Sequence, residues 1–228
     1  SSTELRQALA SVARDAAEVP DTGLFTAASG LIPEGLTVDG IDYRTAAGDP
    51  MPTIPDAKEL YRTARQGMQN SDFNKVTLLL PAGSGLTQAA EQINGAWQKE
   101  FSLFFSVEEV EPEEFAKRLA EGSYTIAFAP ISAESGSVYS ILTQFTAAGG
   151  GLAHYENSLY ATQLAASASA TGSTRCSLLA ECERQLLQDC AAVPLFAQQK
   201  RLLVANGIHD LIFDPFGPVL DLTYATKE

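Results

Sequence analysis

The sequence predicts an α/β domain built on a central, mostly parallel sheet flanked by helices. Apolar runs of strand length at 75–80, 103–110 and 123–129 alternate with segments of helical period at 87–101 and 112–121. The connections are short enough for the right-handed crossovers that parallel pairing requires. The chain's 228 residues, 45% hydrophobic, suffice to bury one full core, about 70% of the unfolded surface at this size.

Taken in order, Leu5, Ala8, Leu9, Val12, Ala13 and Ala16 recur at helical spacing, which predicts a helix over 3–18 that stops before Pro20. Residues 21–55 are rich in Gly, Pro, Asp and Thr without sustained period and read as a long surface excursion. A helix is expected over 57–68, a buried strand over 75–80, and a helix over 87–101 with Ala90, Ile93 and Trp97 on one face. A strand over 103–110 follows, then a helix over 112–121 with Pro112 in its first turn, then a strand over 123–129. Beyond Pro130 the pattern turns helical, over 138–146, 158–170 and 174–190, broken at Gly149-Gly150-Gly151 and Thr171-Gly172-Ser173. Short strands are expected at 192–197 and 201–205, and the tail from Asn206 has little period.

Composition and motifs exclude more chemistry than they suggest. A formal net charge of -13 repels the phosphate backbone, so nucleic acid is not an expected partner. No stretch reaches the roughly 18–20 apolar residues of a spanning helix, and the chain opens on polar Ser1-Ser2-Thr3. Cys176, Cys182 and Cys190 fall in one predicted helix at spacings of six and eight, which do not place them side by side, so they read as buried thiols. Neither CxxC pairs nor a nearby histidine mark a metal site, and no cofactor is expected. The turn Gly83-Ser84-Gly85 joins a strand to a helix but lacks the third glycine of a dinucleotide loop and the Gly-Lys-Ser/Thr of a P-loop. His154 and His209 sit in no nucleophile motif, and neither Ser84 nor Ser135 lies in GxSxG. The acidic run Glu108–Glu114 reads as a solvated helix start whose carboxylates complement the dipole.

Eight segments, the first at Glu4–Asp15 and the last at Glu181–Phe196, taken together and in order, resemble the family 5 extracellular solute-binding proteins, receptors of oligopeptide, dipeptide and nickel ABC importers. Glu4-Leu5-Arg6-Gln7-Ala8-Leu9-Ala10 with Ala13-Arg14-Asp15 is similar to that family's "vRqAla.AiDr" helix, Ser29–Gly35 to its "G.ipPg" loop, and Pro55–Leu60 to "d.akaLL". Lys75–Leu80 resembles its "v.l.y" strand, Ala89–Ile93 "A..iq..l", and Glu114–Leu119 with Gly122-Ser123-Tyr124 "f...l..g.yD". Tyr155-Glu156-Asn157 resembles "y.np.yD", and Glu181–Gln188 followed by Ala192–Phe196 resembles "ae..l..d.P.iPly".

The resemblance implies a periplasmic-binding-protein-like (type II) lobe: residues 1–197 as the C-terminal ligand-binding lobe, and 198–228 as a tail that in the family returns to an N-terminal lobe absent here. It implies a non-catalytic receptor for a peptide-like or other small solute, extracytoplasmic and membrane-anchored as a lipoprotein, with an ABC permease as partner. By position, Ser132, Glu134, Ser135, Tyr139, Tyr155 and Asn157 are expected to face the ligand, since open α/β sheets bind at the carboxyl ends of their strands. The sequence departs from the family where an aspartate would meet a peptide's ammonium group: that position falls near Ala133, with Glu134 the only carboxylate in reach. The later "yD" aspartate is replaced by Ala161. Two alternatives stay open: a hydrolase or transferase using Ser84 or Ser135, and a sensory or interaction domain.

Overall fold

The structure, a computed structural model, describes residues 2–69, 73, 76–132, 136–213 and 220–227. Its first half is a β-α-β-α-β unit preceded by helices. Helix α1 (Thr3–Ala16) is capped by Ser2, whose Oγ accepts the Leu5 N–H at 3.2 Å. After α1, strand β1 (Phe25–Ala27), a tight hairpin of β2 (Thr37–Val38) and β3 (Ile41–Asp42), and the short helix α2 (Tyr43–Ala47) occupy the stretch expected to be irregular. Helix α3 (Ala57–Arg65) then leads to strand β4 (Thr77–Pro81), helix α4 (Thr87–Phe101), strand β5 (Ser106–Val110), helix α5 (Pro112–Glu121) and strand β6 (Ile126–Ala127). The strands pair in the order β5-β4-β6, and both pairings are parallel.

This sheet anchors one of two cores. Leu78 and Leu80 pack with Ala90, Ile93, Trp97 and Phe101 of α4 and with Ala8 and Ala13 of α1. The Trp97 indole N–H donates to the Leu9 carbonyl at 2.9 Å, so the largest ring of the core also satisfies its one polar atom. The second core belongs to helices α6 (Val138–Thr143), α7 (Ser158–Ser169) and α8 (Gly172–Gln188), against which the β2–β3 hairpin and α2 pack. Two small antiparallel pairs complete the structure: β7 (Phe196–Gln198) with β1, and β8 (Ile208–His209) with β9 (Thr226–Lys227).

Within the second core lies a fully buried carboxylate. Glu183 of α8 accepts the Ile32 N–H at 3.0 Å, the Tyr43 hydroxyl at 2.9 Å and Arg44 Nη2 at 2.9 Å. Arg44 also donates to the Ile32 carbonyl at 2.6 Å. Burial, and then the Glu183 charge, push the Tyr43 phenol far above its ordinary range, so it stays a donor. Gly30 is required by this crowding, because a Cβ there would stand 2.8 Å from each of Arg44 Nη2, Glu183 Oε1 and Pro50 Cγ.

Several expected elements are shorter or placed differently, each for a visible reason. The 57–68 helix ends at Arg65, where Gln66, Gly67 and Met68 N–H groups bond carbonyls three residues back. The 103–110 strand begins only at Ser106, because both backbone groups of Phe105 are taken by the buried Asn94 amide, at 2.6 and 2.9 Å. The 123–129 strand shrinks to two residues, and 192–197 pairs only from Phe196 onward. Residues 201–205 form no strand. Helix α6 ends at Thr143 rather than 146, and Cys190 lies two residues past α8 at φ 48°, outside the helix assigned to it. Lys75, at the start of the first predicted strand, lies outside the described residues.

Removing one partner of a buried ion pair leaves an uncompensated charge, so Glu183→Ala should cost about 3–5 kcal/mol in urea denaturation. Gly30→Ala should destabilise in the same direction. Arg62→Ala, which breaks only the exposed pair with Glu59, should cost at most about 1 kcal/mol. Equal losses in the buried and exposed variants would contradict the role given to Glu183.

Candidate functional site

Strands β4, β5 and β6 all deliver their carboxyl ends to one edge, and the three loops leaving that edge form the candidate site. The ladder continues a step past the strands: Ala82 N–H donates to the Val110 carbonyl at 2.8 Å, and Phe128 N–H to that of Leu79 at 2.9 Å. In the first loop Gly83 and Gly85 adopt φ of 72° and 74°, and a Cβ at either would meet nothing within 4 Å. Their glycine is thus explained by backbone conformation. The loop is a strand-to-helix turn: Ser84 Oγ accepts the Leu86 N–H at 3.3 Å, and Thr87 Oγ1 donates to Glu109 Oε1 at 2.6 Å.

The acidic run is used up locally. Glu108 pairs with Arg118 at 2.9 Å, and the hydrogen bond from that guanidinium holds its carboxyl below the usual range. Glu113 and Glu114 occupy the first turn of α5 behind Pro112. Among the described residues, no three His, Cys, Asp or Glu side chains converge as a metal-ligand set.

Of the six expected ligand-facing residues four are described, and these fall into two pairs. Ser132 is exposed on the loop after β6, where its carbonyl accepts Gln144 Nε2 at 2.9 Å. Tyr139, half-buried in the first turn of α6, packs against the helical core. Glu134 and Ser135 lie outside the described residues. Tyr155 and Asn157 come together on a carboxylate that the sequence reading did not single out. Asp189 Oδ2 accepts the Tyr155 hydroxyl at 2.6 Å, Asn157 Nδ2 at 3.2 Å and Gln185 Nε2 at 3.1 Å. Asn157 Oδ1 meanwhile caps α7, accepting the Leu159 and Tyr160 N–H groups at 3.0 and 3.1 Å. Tyr155 stacks edge-on against Tyr160 at 5.3 Å, and burial followed by Asp189 raises its phenol well above the ordinary range. Asn157 before a helical run was a legible cap, whereas Asp189 follows its helix with no pattern to mark it.

Among the described residues, Ser84 and the two histidines are kept apart. The His154 ring lies against Gly122, where a Cβ would approach its Nε2 to 2.2 Å. Gly122 precedes β6 at the amino edge of the sheet, whereas Ser84 follows β4 at the carboxyl edge. His209 is exposed in β8. All three thiols are free and buried. Burial, then Glu181, pushes Cys182 up to about 12, and burial pushes Cys190 up to about 11, against the opposing charge of Arg6.

No protein-family model and no curated protein sequence matches the chain. Solved structures do. The pheromone receptor PrgZ, described with its mode of peptide binding, matches at a TM-score of 0.77 and 20% identity over 100% of this chain and 45% of its own. Listeria monocytogenes OppA bound to peptide matches at 0.71 and 20%, over 99% and 45%. The peptide-binding protein of a peptide ABC transporter matches at 0.68 and 20%, over 85% of this chain and 90% of that one. The chain therefore spans about 45% of the length of the first two and has the fold of a solute-binding-protein lobe.

The thiols give a test of this chemistry. Their folded pKa values lie above the roughly 8.5 of an unfolded cysteine, so the stability they contribute is complete below that pH and is lost as pH rises through about 11 to 12. A disulfide reagent at pH 8 should find none of the three in the native protein and all three in guanidinium, and the fall in stability above about pH 9 should be shallower in Cys182→Ala. A native thiol reacting at the unfolded rate would overturn the assignment.

Proposed function

We propose that this chain is the C-terminal ligand-binding lobe of an extracytoplasmic receptor that delivers a peptide-like or other small solute to an ABC permease, without covalent chemistry. The observation that carries this is the match of the whole chain to the pheromone receptor PrgZ, including the parallel sheet whose carboxyl edge bears the candidate site. In this reading Ser132, Glu134, Ser135, Tyr139, Tyr155 and Asn157 contribute the ligand side of a cleft, closed by a second lobe through hinge motion. Residues 198–228 form a tail that docks on that second lobe. Supporting this is the apolar surface that the tail exposes at Leu203, Leu222 and Tyr224, which a folded chain ordinarily covers. Membrane anchoring belongs to the same proposal, and among the described residues no helix is long and apolar enough to cross a membrane.

The hydrolase reading asks for a histidine within reach of a serine. Ser84 and His154 belong to opposite edges of the sheet, which favours binding over catalysis for that pair.

Half the enclosing surface is absent, so a pool of tripeptides to hexapeptides should bind this chain weakly, on the order of millimolar. Amide chemical-shift changes should concentrate at 82–86, 128–132, 136–139 and 155–157, with the peptides recovered intact. Cleavage of the pool would exclude the non-catalytic reading, and shifts confined to the opposite edge of the sheet would exclude the proposed cleft.

A further inference from the structure

The described part of the loop that leaves β6 at the carboxyl edge, residues 128–132, is held at a few points. Phe128 is tied to β4 by its backbone and Ile131 packs against the helical core, but Ser132 is exposed. One side chain reaches it from the far end of α6. Gln144 is the C-cap of that helix, half-buried, and its Nε2 donates to the Ser132 carbonyl at 2.9 Å and to the Ser140 carbonyl at 3.3 Å. The bond to Ser140 stays within α6 and fixes the direction of the amide. That to Ser132 spans twelve residues and closes the loop onto the helix.

Gln144 is also the junction to the second group of candidate residues. Its backbone carbonyl accepts the Leu152 N–H at 2.9 Å. Leu152 opens the short helical turn Leu152–His154, which runs directly into Tyr155 and Asn157. The path between is forced: Gly149 can carry no side chain, since a Cβ would lie 2.0 Å from the Thr143 carbonyl, and Gly150 and Gly151 take φ of 115° and 67°. A single residue thus holds the loop after β6 through its side chain and the loop before α7 through its main chain.

We infer that Gln144 is a positioning residue of the candidate ligand-binding edge, setting the loop after β6 relative to the segment that carries Tyr155 and Asn157. The inference rests on the receptor reading for its purpose but not for its test. The side-chain bond needs only a donor at this position. A lysine can supply one and suits the carboxyl end of a helix, whereas leucine fills the space without one and glutamate sets a charge against the Ser132 carbonyl.

Hydrogen–deuterium exchange on the whole chain compares the wild type with Gln144→Leu, Gln144→Glu and Gln144→Lys. Loss of one partly exposed hydrogen bond should raise exchange across 128–132 by about fivefold in the leucine variant. The glutamate variant should show more, the lysine variant should return toward wild type, and the melting temperature should stay within a few degrees throughout. Unchanged exchange at 128–132 in the leucine and glutamate variants would overturn the inference. So would faster exchange spread through α6, α7 and α8 with a fallen melting temperature, which marks a general packing role. Binding of the tripeptide-to-hexapeptide pool is measured alongside. A wild type that binds none of it removes peptides as the ligand class, while exchange at 128–132 still decides the role of Gln144.

Discussion

The arrangement of the helical half depends on the buried carboxylate of Glu183. Its surroundings come from distant parts of the sequence: Gly30 and Ile32 from the long connection after α1, Tyr43 and Arg44 from α2, and the carboxylate itself from α8. A stretch as rich in Gly, Pro and Asp as 21–55 has little periodic apolar surface with which to dock. It is nevertheless drawn into the core at Ile32, Leu36, Val38 and Tyr43, each buried. Apolar contact alone is non-directional and would permit several registers of such a segment. A buried carboxylate is exacting, since each donor it lacks leaves a costly unsatisfied lone pair. The register that supplies a backbone N–H, a phenol and a guanidinium together is therefore strongly preferred.

The two cores solve different problems. In the first, the parallel sheet needs helices on it, and α4 provides an apolar stripe of Ala90, Ile93 and Trp97 that its spacing announced. Asn94, on the same helix, interrupts that stripe with a buried amide, yet it pairs with both backbone groups of Phe105 and so serves in place of a neighbouring strand. In the second core, polar groups set the geometry: Glu183 for the incoming connection, Asp189 for the segment before α7, Gln144 for the loop after β6. Both halves bury an apolar core, and in the helical half hydrogen-bonded posts fix the segments that pack on it.

That division explains what could be read in the sequence. Helices α4 and α5 appear at the residues their period and the proline at position 112 indicated, and β4-α4-β5-α5-β6 forms the parallel unit expected. Periodicity reports on faces, and these elements have faces. What could not be read were the places where one side chain substitutes for a secondary-structure partner or a few residues pair across the chain. Asn94 shortened a strand, Phe196 found a partner only at Phe25–Ala27, and a two-residue hairpin arose inside a run of turn formers. Cys190, expected inside the last helix, lies past its end in a left-handed backbone conformation that a cysteine does not announce. For the candidate site, the loops at the carboxyl edge were legible from topology. The Gln144 amide that holds the loop after β6 and the Asp189 carboxylate that holds the segment before α7 were not, because their partners lie 12 and 34 residues away in sequence.

The distribution of polar atoms bears on what such an edge can do. Acid, base and nucleophile chemistry requires groups poised near neutrality and within reach of one another. Here the thiols are buried with raised pKa values, Glu108 is committed to Arg118, and Glu109 accepts from Thr87. The His154 ring is pressed against the turn that enters β6 from the opposite side. Tyr155 and Asn157 place their polar atoms on each other, on Asp189 and on the start of α7, so those atoms are already engaged. Loops held in place by side chains of the same chain form a preorganised surface, and such a surface loses little entropy when a ligand arrives.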